Sequence, residues 1–459
     1  MSAGELLAGY RLRRFSPVDV VLQLSERIGR LQPELNAFYL LDKSGSLAAA
    51  RESERRWYRG APIGLLDGVP SSAKDALALT GTPVYRGSAA SEPKTSDSDA
   101  PVIARMREAG AIFLGKTTMP DFGILASGLS SQHGVTRNPR NVAYTPGGSS
   151  AGTAAAIAAG LHPLAVGTDI VGSIRLPASF TGIFGFKPSQ GRVPYYFPNS
   201  PALVAGPMAR TVADAAVLMS VIAAPDARDF TSLPPASCPY HERLEVDLSG
   251  ARVGILADLG FGLEADAEVL ATVTSSAALL QRAGLRLSTM ATRFEPNELR
   301  TAERFYQARC RAELNSCPAE RRSAASIIEA WSAPAEAMNA VQLYGVFNEL
   351  QRLREKAYRL IEAVDFIVLP TVARPAFRAE LPGFTSAQLF EPWSNAFLFN
   401  LTEQPASSVP CGVTSSGLPI GLQIVGRRFD DLGVLQLSRL CERLFAATPP
   451  AEIDPIQRK

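Results

Sequence analysis

The sequence predicts an α/β protein, because short apolar runs alternate with Gly-rich turns and small-residue helices between about residues 64 and 187. The stretch "APVIARMREAGAIFLGK" predicts a helix, a glycine stop at Gly110 and then a strand. The stretch "SAGTAAAIAAGLHPLAVGTD" repeats this order, with Gly160 at the end of its helix. We therefore expect a sheet with helices packed against it.

Further elements are predicted on both sides of this region. "FSPVDVVLQLSERIGRLQ" is a predicted helix capped by Ser16, with a proline and an aspartate in its first turn. "PMARTVADAAVLMSVI" and "LEADAEVLATVTSSAALLQ" predict two more helices, and residues 296–363 are expected to be helical with breaks near Pro318 and Pro334. Strands are predicted within "ARVGILADL", "DFIVLPTV" and "GLPIGLQIVG". Residues 225–245, rich in Pro and Ser, are expected to form a linker or surface loop.

Composition restricts the partners and the chemistry. The net charge is +2 with no basic stripe or acidic tail, so neither a nucleic acid nor a membrane is an expected partner. The five cysteines match no disulfide framework and the three histidines do not cluster, so neither a metal nor a cofactor is expected. The N-terminus lacks an apolar signal segment, which favours a cytoplasmic protein. A homodimer is an option that the sequence leaves open.

One candidate base lies in "DGVPSSAKDALALTG". Lys74 is surrounded there by small and apolar residues, and a poorly hydrated lysine has a lowered pKa and can be neutral near pH 7. The alternative is a lysine at a strand end, whose ammonium group reaches water or pairs with Asp75. Taken alone, this stretch favours the alternative.

Two serine-containing stretches are candidate sites. In "TPGGSSAGTAAAIAAG", Ser149 and Ser150 stand where a helix begins, which by itself is typical of an N-cap pair. The stretch does not contain the phosphate-loop pattern, because no lysine follows its glycines. In "GTDIVGSIRLP", successive backbone amides could bind an anion and Ser173 could attack a carbonyl carbon, with a tight turn as the alternative. A nucleophilic serine needs a base, for which His133 and Lys74 are both candidates.

Together these stretches resemble the amidase signature family. The run "PGGSSAGTAAAIAAGLHPLAVGTDIVGSIRLPASFTGIFGFKPSQGRVP" resembles its Gly/Ser-rich signature, and "GVPSSAKD" resembles its lysine segment. "GVTRNPRN", "DFIVLPTVARP" and "NLTEQPASSVPCGVTSSGLPIGLQIVG" resemble further family segments, between about residues 15 and 445. The resemblance implies a large, mixed, twisted β-sheet covered by helices on both faces. It also implies one domain over residues 1–459, with a signature core (61–210), a mostly helical cover region (225–345) and a C-terminal part of the sheet (346–459).

The resemblance also implies roles for individual residues. Lys74 corresponds to the base, Ser149 to a bridging serine on a cis peptide bond, and Ser173 to the nucleophile that forms the acyl-enzyme. An oxyanion hole is implied for the backbone amides of four residues: Ile170, Val171, Gly172 and Ser173. Trp393 and Phe397, in "LFEPWSNAFLFNL", are candidates for an apolar substrate pocket, and ordinary core packing is an equal alternative.

The activity implied by the resemblance is hydrolysis of C–N bonds in amides. Aryl or small aliphatic amides are the expected substrates, with esters as side substrates and carbamates as a further option. A glutamine-hydrolysing subunit of an amidotransferase complex and a non-catalytic member of the fold are the alternatives. They are distinguished by ammonia release from glutamine and by covalent labelling of the nucleophile.

The chain departs from the family pattern at Thr118, Ala151, Val171 and Glu403, where the family usually has asparagine, glycine, glycine and glycine. Val171 is the departure within the expected oxyanion loop. A β-branched residue strongly disfavours a positive φ, so we expect residue 171 to keep a negative φ. Its isopropyl group would then limit the space beside the substrate carbonyl.

Overall fold

The computed structural model describes residues 1–196, 201–292, 294–385 and 388–446. The helices of the described residues are α1 Ala3–Arg11, α2 Pro17–Leu35, α3 Lys43–Tyr58, α4 Pro101–Glu108, α5 Ala151–Ala158, α6 Arg175–Thr181, α7 Val212–Ile222, α8 Ala267–Arg282, α9 Pro296–Asn315, α10 Ser326–Ser332, α11 Ala340–Tyr358, α12 Phe397–Leu401 and α13 Asp431–Phe445. The strands are β1 Phe38–Leu41, β2 Pro70–Lys74, β3 Pro83–Val84, β4 Lys94–Thr95, β5 Ile112–Thr117, β6 Leu129–Ser130, β7 Gly134–Val135, β8 Leu164–Asp169, β9 Phe184–Lys187, β10 Val204–Ala209, β11 Arg252–Ile255, β12 Arg286–Thr289, β13 Phe366–Pro370, β14 Ala406–Val413 and β15 Pro419–Val425.

Eleven of the described strands form one sheet, in the order β1-β5-β2-β8-β10-β9-β14-β15-β13-β11-β12. The sheet is mixed. Strand β2 runs parallel to β5 and β8, and β11 runs parallel to β12 and β13. The other neighbours pair antiparallel. The predicted α/β class and the large mixed sheet are confirmed.

Helices cover both faces of the sheet, as the side chains of β5 show. Ile112 and Leu114 belong to an apolar cluster with residues of α2 and α5, whereas Phe113 belongs to a cluster with residues of α4. Successive side chains of a strand point to opposite faces, so α2 and α5 lie on one face and α4 on the other. β5 is buried throughout, which explains its continuous apolar start instead of an alternating pattern.

Most predicted elements are confirmed. Ser16 caps α2 in a capping box with Asp19, and Gly110 and Gly160 adopt positive φ values of 90° and 68° after α4 and α5. The helix predicted from residue 207 begins later. Residues 204–209 form β10, which pairs with β8, and α7 starts only after Thr211, whose side chain accepts a hydrogen bond from a backbone amide in the first turn. The prediction was wrong there because the strand is as apolar as the helix that follows it.

The region after residue 225 also agrees with prediction. Residues 225–245 contain one short 3-10 turn and neither an α-helix nor a strand, consistent with a surface loop. Residues 296–363 form α9, α10 and α11, with breaks at Pro318 and Pro334. The last residues of the predicted C-terminal part, 447–459, lie outside the described residues. Among the helices of the described chain, none has the length and apolar character needed to cross a membrane.

Candidate active site

The fold brings three candidate segments to one edge of the sheet. β2 ends at Lys74 and its parallel neighbour β8 ends at Asp169, so both strands deliver their last residues to the same edge. In open α/β sheets, this carboxyl edge is where ligands bind. The loop that contains Ser149 leads into α5, and the loop that contains Ser173 leads into α6.

Lys74 is fully buried and bonded to hydroxyl groups. Its Nζ lies 2.8 Å from Ser149 Oγ, 3.0 Å from Ser150 Oγ and 2.7 Å from Thr168 Oγ1. Burial lowers the pKa of Lys74 to about 7, although Asp169 and Asp75 act in the opposite direction. The positive charge of Arg86 lowers this pKa further. A substantial fraction of the Lys74 side chain is therefore the neutral amine at pH 7.

The segment before Ser149 has little room for side chains. The Gly148–Ser149 peptide bond is cis, as the resemblance implied. A Cβ atom on Gly148 would lie 2.3 Å from the carbonyl oxygen of Leu125 and 2.6 Å from that of Ser127. Gly147 has a φ of 82°, a value that L side chains rarely adopt. Both glycines are therefore required by the approach of the backbone to its neighbours.

Ser173 lies against the Ser149 segment, but its hydroxyl is unpaired. The Ser150 amide donates to the Ser173 carbonyl oxygen at 3.3 Å, which joins the two serine loops. Ser173 Oγ is buried and has no hydrogen-bond partner within the described part of the chain. A hydroxyl without a partner retains its lone pairs for attack or for contact with a ligand.

The loop of residues 170–173 is oriented by Asp169. The carboxylate of Asp169 accepts hydrogen bonds from the Gly172 amide at 2.7 Å and the Ile174 amide at 3.1 Å. The amides of Ile170, Val171 and Ser173 donate no hydrogen bond to any residue that the structure describes. These three amides, rather than that of Gly172, are therefore available to an anion.

Val171 is not among the described residues with a positive φ, whereas Gly172 has a φ of 133°. The predicted negative φ at residue 171 is confirmed. The positive φ in this loop therefore occurs at Gly172, and glycine adopts such a φ more readily than any other residue.

A buried ion pair supports the same loop. The Arg175 guanidinium donates to both Asp169 carboxylate oxygens at 3.0 Å, and Asn400 Nδ2 donates to Asp169 Oδ1 at 2.8 Å. Burial raises the pKa of Asp169, but the charge and hydrogen bonds of Arg175, together with the charge of Lys187 and the hydrogen bond from Asn400, outweigh burial and lower that pKa to about 2. The Asp169 carboxyl group is therefore ionised at neutral pH and well below it.

The two candidate pocket residues lie in different places. Trp393 is fully buried behind the loop, where a Cβ atom on Gly172 would lie 3.1 Å from its ring. Phe397 lines a cavity of about 330 Å³ together with Tyr306, whose hydroxyl donates to the Ile170 carbonyl oxygen at 3.2 Å. Trp393 thus supports the back of the loop, and substrate contact by either residue stays a prediction.

His133 belongs to a different cluster. Its Nε2 lies 3.4 Å from Asp75 Oδ2, and its ring stacks on Tyr39 with 4.3 Å between centroids. No hydrogen bond in the described residues connects it to Ser149 or Ser173. Of the two candidate bases, the geometry favours Lys74.

Sequence reasoning missed several residues that shape the site. Thr168 and Asp169 were visible as polar residues ending a buried strand, and Arg175 as a charge in an otherwise small and apolar segment. Tyr306 gave no signal, because it reaches the Ile170 carbonyl from a helix 136 residues away in sequence.

Comparison with known proteins places this geometry in a family. The Amidase family model matches residues 19–435. The chain is 35% identical to the A subunit of the glutamyl-tRNA(Gln) amidotransferase of Myxococcus xanthus (strain DK1622), an alignment that covers 91% of each chain. It is 30% identical to an acylamidase of Rhodococcus erythropolis, over 98% of this chain and 97% of the relative.

The fold agrees with solved structures. The crystal structure of a bacterial aryl acylamidase of the amidase signature enzymes superposes with a TM-score of 0.90 at 27% sequence identity. The match covers 97% of this chain and 96% of that chain. The chain therefore belongs to the amidase family, the amidase signature hydrolases of carbon–nitrogen bonds.

Proposed function

We propose that the protein hydrolyses small-molecule amides through an acyl-enzyme on Ser173, with Lys74 as the base and Ser149 as the proton relay. The observation that carries this proposal is the Lys74 amine, which is buried, has a pKa of about 7 and lies 2.8 Å from Ser149 Oγ. An amine of this kind can act as a base without a histidine.

The proposed reaction begins with proton transfer along this chain of groups. Ser149 gives its proton to Lys74 Nζ and takes the proton of Ser173, whose oxygen attacks the amide carbon. The backbone amides of Ile170, Val171 and Ser173 stabilise the resulting oxyanion, while the Gly172 amide holds the loop on Asp169. Ser149 then delivers a proton to the leaving nitrogen, the C–N bond breaks, and water hydrolyses the acyl-enzyme.

Aryl amides and small aliphatic amides are the proposed substrates, with esters as side substrates. The likeness to an acylamidase and to an aryl acylamidase supports this range. Carbamates offer the same carbonyl and a comparable leaving nitrogen, so they belong in the same substrate panel.

A fluorophosphonate probe and a panel of 4-nitroanilides, 4-nitrophenyl esters and carbamates test the proposal. We expect one covalent adduct on Ser173, and loss of both adduct and turnover in Ser173→Ala. Ser407→Ala is a matched control. Ser407, on β14, is equally buried, but its Oγ lies 2.8 Å from Ser438 Oγ on α13 and so has a hydrogen-bond partner. Turnover near the wild-type level in Ser173→Ala would reject the nucleophile.

Lys74→Ala tests the relay separately. We expect most amide turnover to be lost and a smaller loss for activated esters, because a good leaving group needs less protonation. Equal losses for the two substrate types would contradict the role of Lys74 in protonating the leaving nitrogen.

The relationship to one chain of an amidotransferase supports a second candidate, glutamine hydrolysis within a complex. Ammonia release from glutamine, without activity on any aryl amide in the panel, would favour that candidate over the first.

A further inference from the structure

A cavity of about 570 Å³ lies next to the proposed active site. We call it the Arg86 cavity, and its lining includes Leu77, Arg86, Phe122, Tyr195 and Glu313. A volume of this size is typical of a pocket for a small molecule.

The Arg86 cavity adjoins the catalytic residues. The Leu77 amide donates to the Lys74 carbonyl oxygen at 2.8 Å. The residue after Phe122 is Gly123, where an added Cβ atom would lie 3.2 Å from Ser149 Oγ. Neither serine hydroxyl lines the cavity itself. Leu77 and Phe122 therefore mark the side of the cavity that faces Lys74 and Ser149.

The charged cluster of Arg86, Arg309 and Glu313 has an excess of positive charge, and Arg86 lines the cavity whereas Arg309 does not. Glu313 Oε1 lies 2.7 Å from Arg309 Nη2, and Glu313 Oε2 lies 3.0 Å from Arg86 Nη2. One carboxylate thus forms ion pairs with two guanidinium groups. Arg86 Nε, Arg309 Nη1 and Glu313 Oε2 are buried without a hydrogen-bond partner among the described residues, so Glu313 Oε2 faces Arg86 as an ion pair without hydrogen-bond geometry. Each guanidinium has five N–H donors, so this cluster has donors to spare.

Neighbouring groups do not balance that charge. Tyr195 lines the cavity, and burial raises its pKa, so its hydroxyl is neutral at pH 7. Glu92 and Lys94 are both exposed, carry opposite charges and offset each other. Two guanidinium groups share one carboxylate here, so a second anion beside Arg86 would be stabilised. Within the described residues, Glu313 is the single carboxylate in ion-pair contact with Arg86.

We propose that the Arg86 cavity binds a carboxylate carried by the amide substrate, with Arg86 as the residue that contacts it. A carboxylate matches the planar guanidinium in a bidentate hydrogen bond, and Leu77, Phe122 and Tyr195 provide an apolar surface for the carbons between carboxylate and amide. The alternative is that the cluster only attaches α9 to the segment after β2. This inference rests on the proposed amide hydrolysis and names its substrate class.

Two pairs of compounds distinguish the two parts of a substrate that could carry the carboxylate. The first pair, glutaryl and pentanoyl 4-nitroanilide, differs by a carboxylate against a methyl group on the acyl side. The second pair, N-acetyl-4-aminobenzoate and N-acetyl-4-toluidine, differs in the same way on the amine side. We expect kcat/KM to favour the carboxylate member of one pair by about 10- to 100-fold, the range of a charge-assisted hydrogen bond.

Variants assign this preference to one side chain. Arg86→Gln should remove the preference; because loss of its charge raises the pKa of Lys74 and changes the rate for both members, the ratio of kcat/KM within each pair is compared. Arg86→Lys should retain part of the preference, because the charge remains while the bidentate geometry is lost. Arg354→Gln is the matched control, since Arg354 is a partly exposed arginine that pairs with Glu403 and lines the cavity of Phe397 instead. It should keep the full preference.

The proposal is overturned if the wild-type enzyme favours neither carboxylate, or if Arg86→Gln lowers both members of a pair equally. Calorimetric binding to Ser173→Ala, with and without Arg86→Gln, separates this result from failure of the proposed function. If no compound is hydrolysed but the carboxylate member binds in an Arg86-dependent way, the hydrolytic mechanism fails and the binding site stands. Turnover of the neutral members with no preference rejects the binding site alone.

Discussion

Replacing Asp169 by asparagine tests how the nucleophile loop is held. Both carboxylate oxygens of Asp169 accept hydrogen bonds, three on Oδ1 and two on Oδ2. The asparagine amide therefore points its NH₂ group at donors in either orientation. The substitution also removes the negative charge that faces the fully buried Arg175.

The expected loss of stability follows from this burial. Removing one partner of a buried ion pair typically costs about 3–5 kcal/mol, because the remaining charge stays out of water. For a chain of 459 residues, about 2 cal/mol/K per residue gives an unfolding entropy of about 1 kcal/mol/K. Asp169→Asn should therefore lower Tm by about 3–5 °C. Because Asp169 also fixes the Gly172 amide, turnover should fall by about 10²-fold or more, as when an oxyanion donor is lost.

The measurements are thermal unfolding followed by circular dichroism and kcat/KM on a 4-nitroanilide, both on purified protein at pH 7. Asp214→Asn is the control, since Asp214 is also buried and its Oδ1 accepts from the Ala3 amide, whereas its Oδ2 has no hydrogen bond in the described residues. An amide NH₂ can replace the oxygen that has no hydrogen bond, so the Tm of this control variant should differ from that of the wild type by about 1 °C or less. If Asp169→Asn matches the control in both Tm and kcat/KM, the ion pair does not hold the loop.

Four further outcomes follow from the same site. Amide kcat/KM should rise about tenfold per pH unit below pH 7 and level off above it, because the pKa of Lys74 is about 7 and the neutral amine is the base. Equal kcat/KM at pH 5 and pH 8 would contradict this role. Gly172→Ala should lose activity, because the new Cβ would lie 2.8 Å from the Cβ of Ala396. Adding Ala396→Gly should restore part of the activity, and equal activity of the single and double variants would refute the clash. Tyr306→Phe should lower kcat by up to about tenfold through loss of its hydrogen bond to the loop, and unchanged kcat would exclude that support. Val171→Gly should alter the ratio of kcat/KM between small and bulky acyl groups, and a constant ratio would exclude a steric role.

The local parts of this structure could be predicted from the sequence. The α2 cap at Ser16 and the glycine stops at Gly110 and Gly160 depend on a few consecutive residues, so their patterns were sufficient. The proximity of Lys74 to Ser149 was predicted by resemblance rather than by pattern. Taken alone, each stretch favoured a structural explanation, and only the assembled fold brings the two side chains within 2.8 Å.

The long-range contacts could not be predicted. Arg86 and Glu313 meet because the segment after β2 and the end of α9 fold against each other, and no periodicity in either segment indicates the other. The boundary between β10 and α7 was missed for a related reason. Residues 204–209 are apolar enough for either structure, and pairing with β8 decides in favour of the strand.

Two departures from the family pattern show how the chain replaces a glycine in two physical ways. At Glu403 φ is positive, at 62°, which is unfavourable for a residue with a Cβ, and the side chain forms ion pairs with Arg354 and Arg428. At Val171 φ is not positive, and the next residue, Gly172, has a φ of 133°. A β-branched side chain tolerates a positive φ less well than glutamate does, so a positive φ at Gly172 costs less than one at Val171 would. The loop at the proposed nucleophile therefore depends on Gly172, which is pressed between the Asp169 carboxylate and the Trp393 ring and has no space for a side chain.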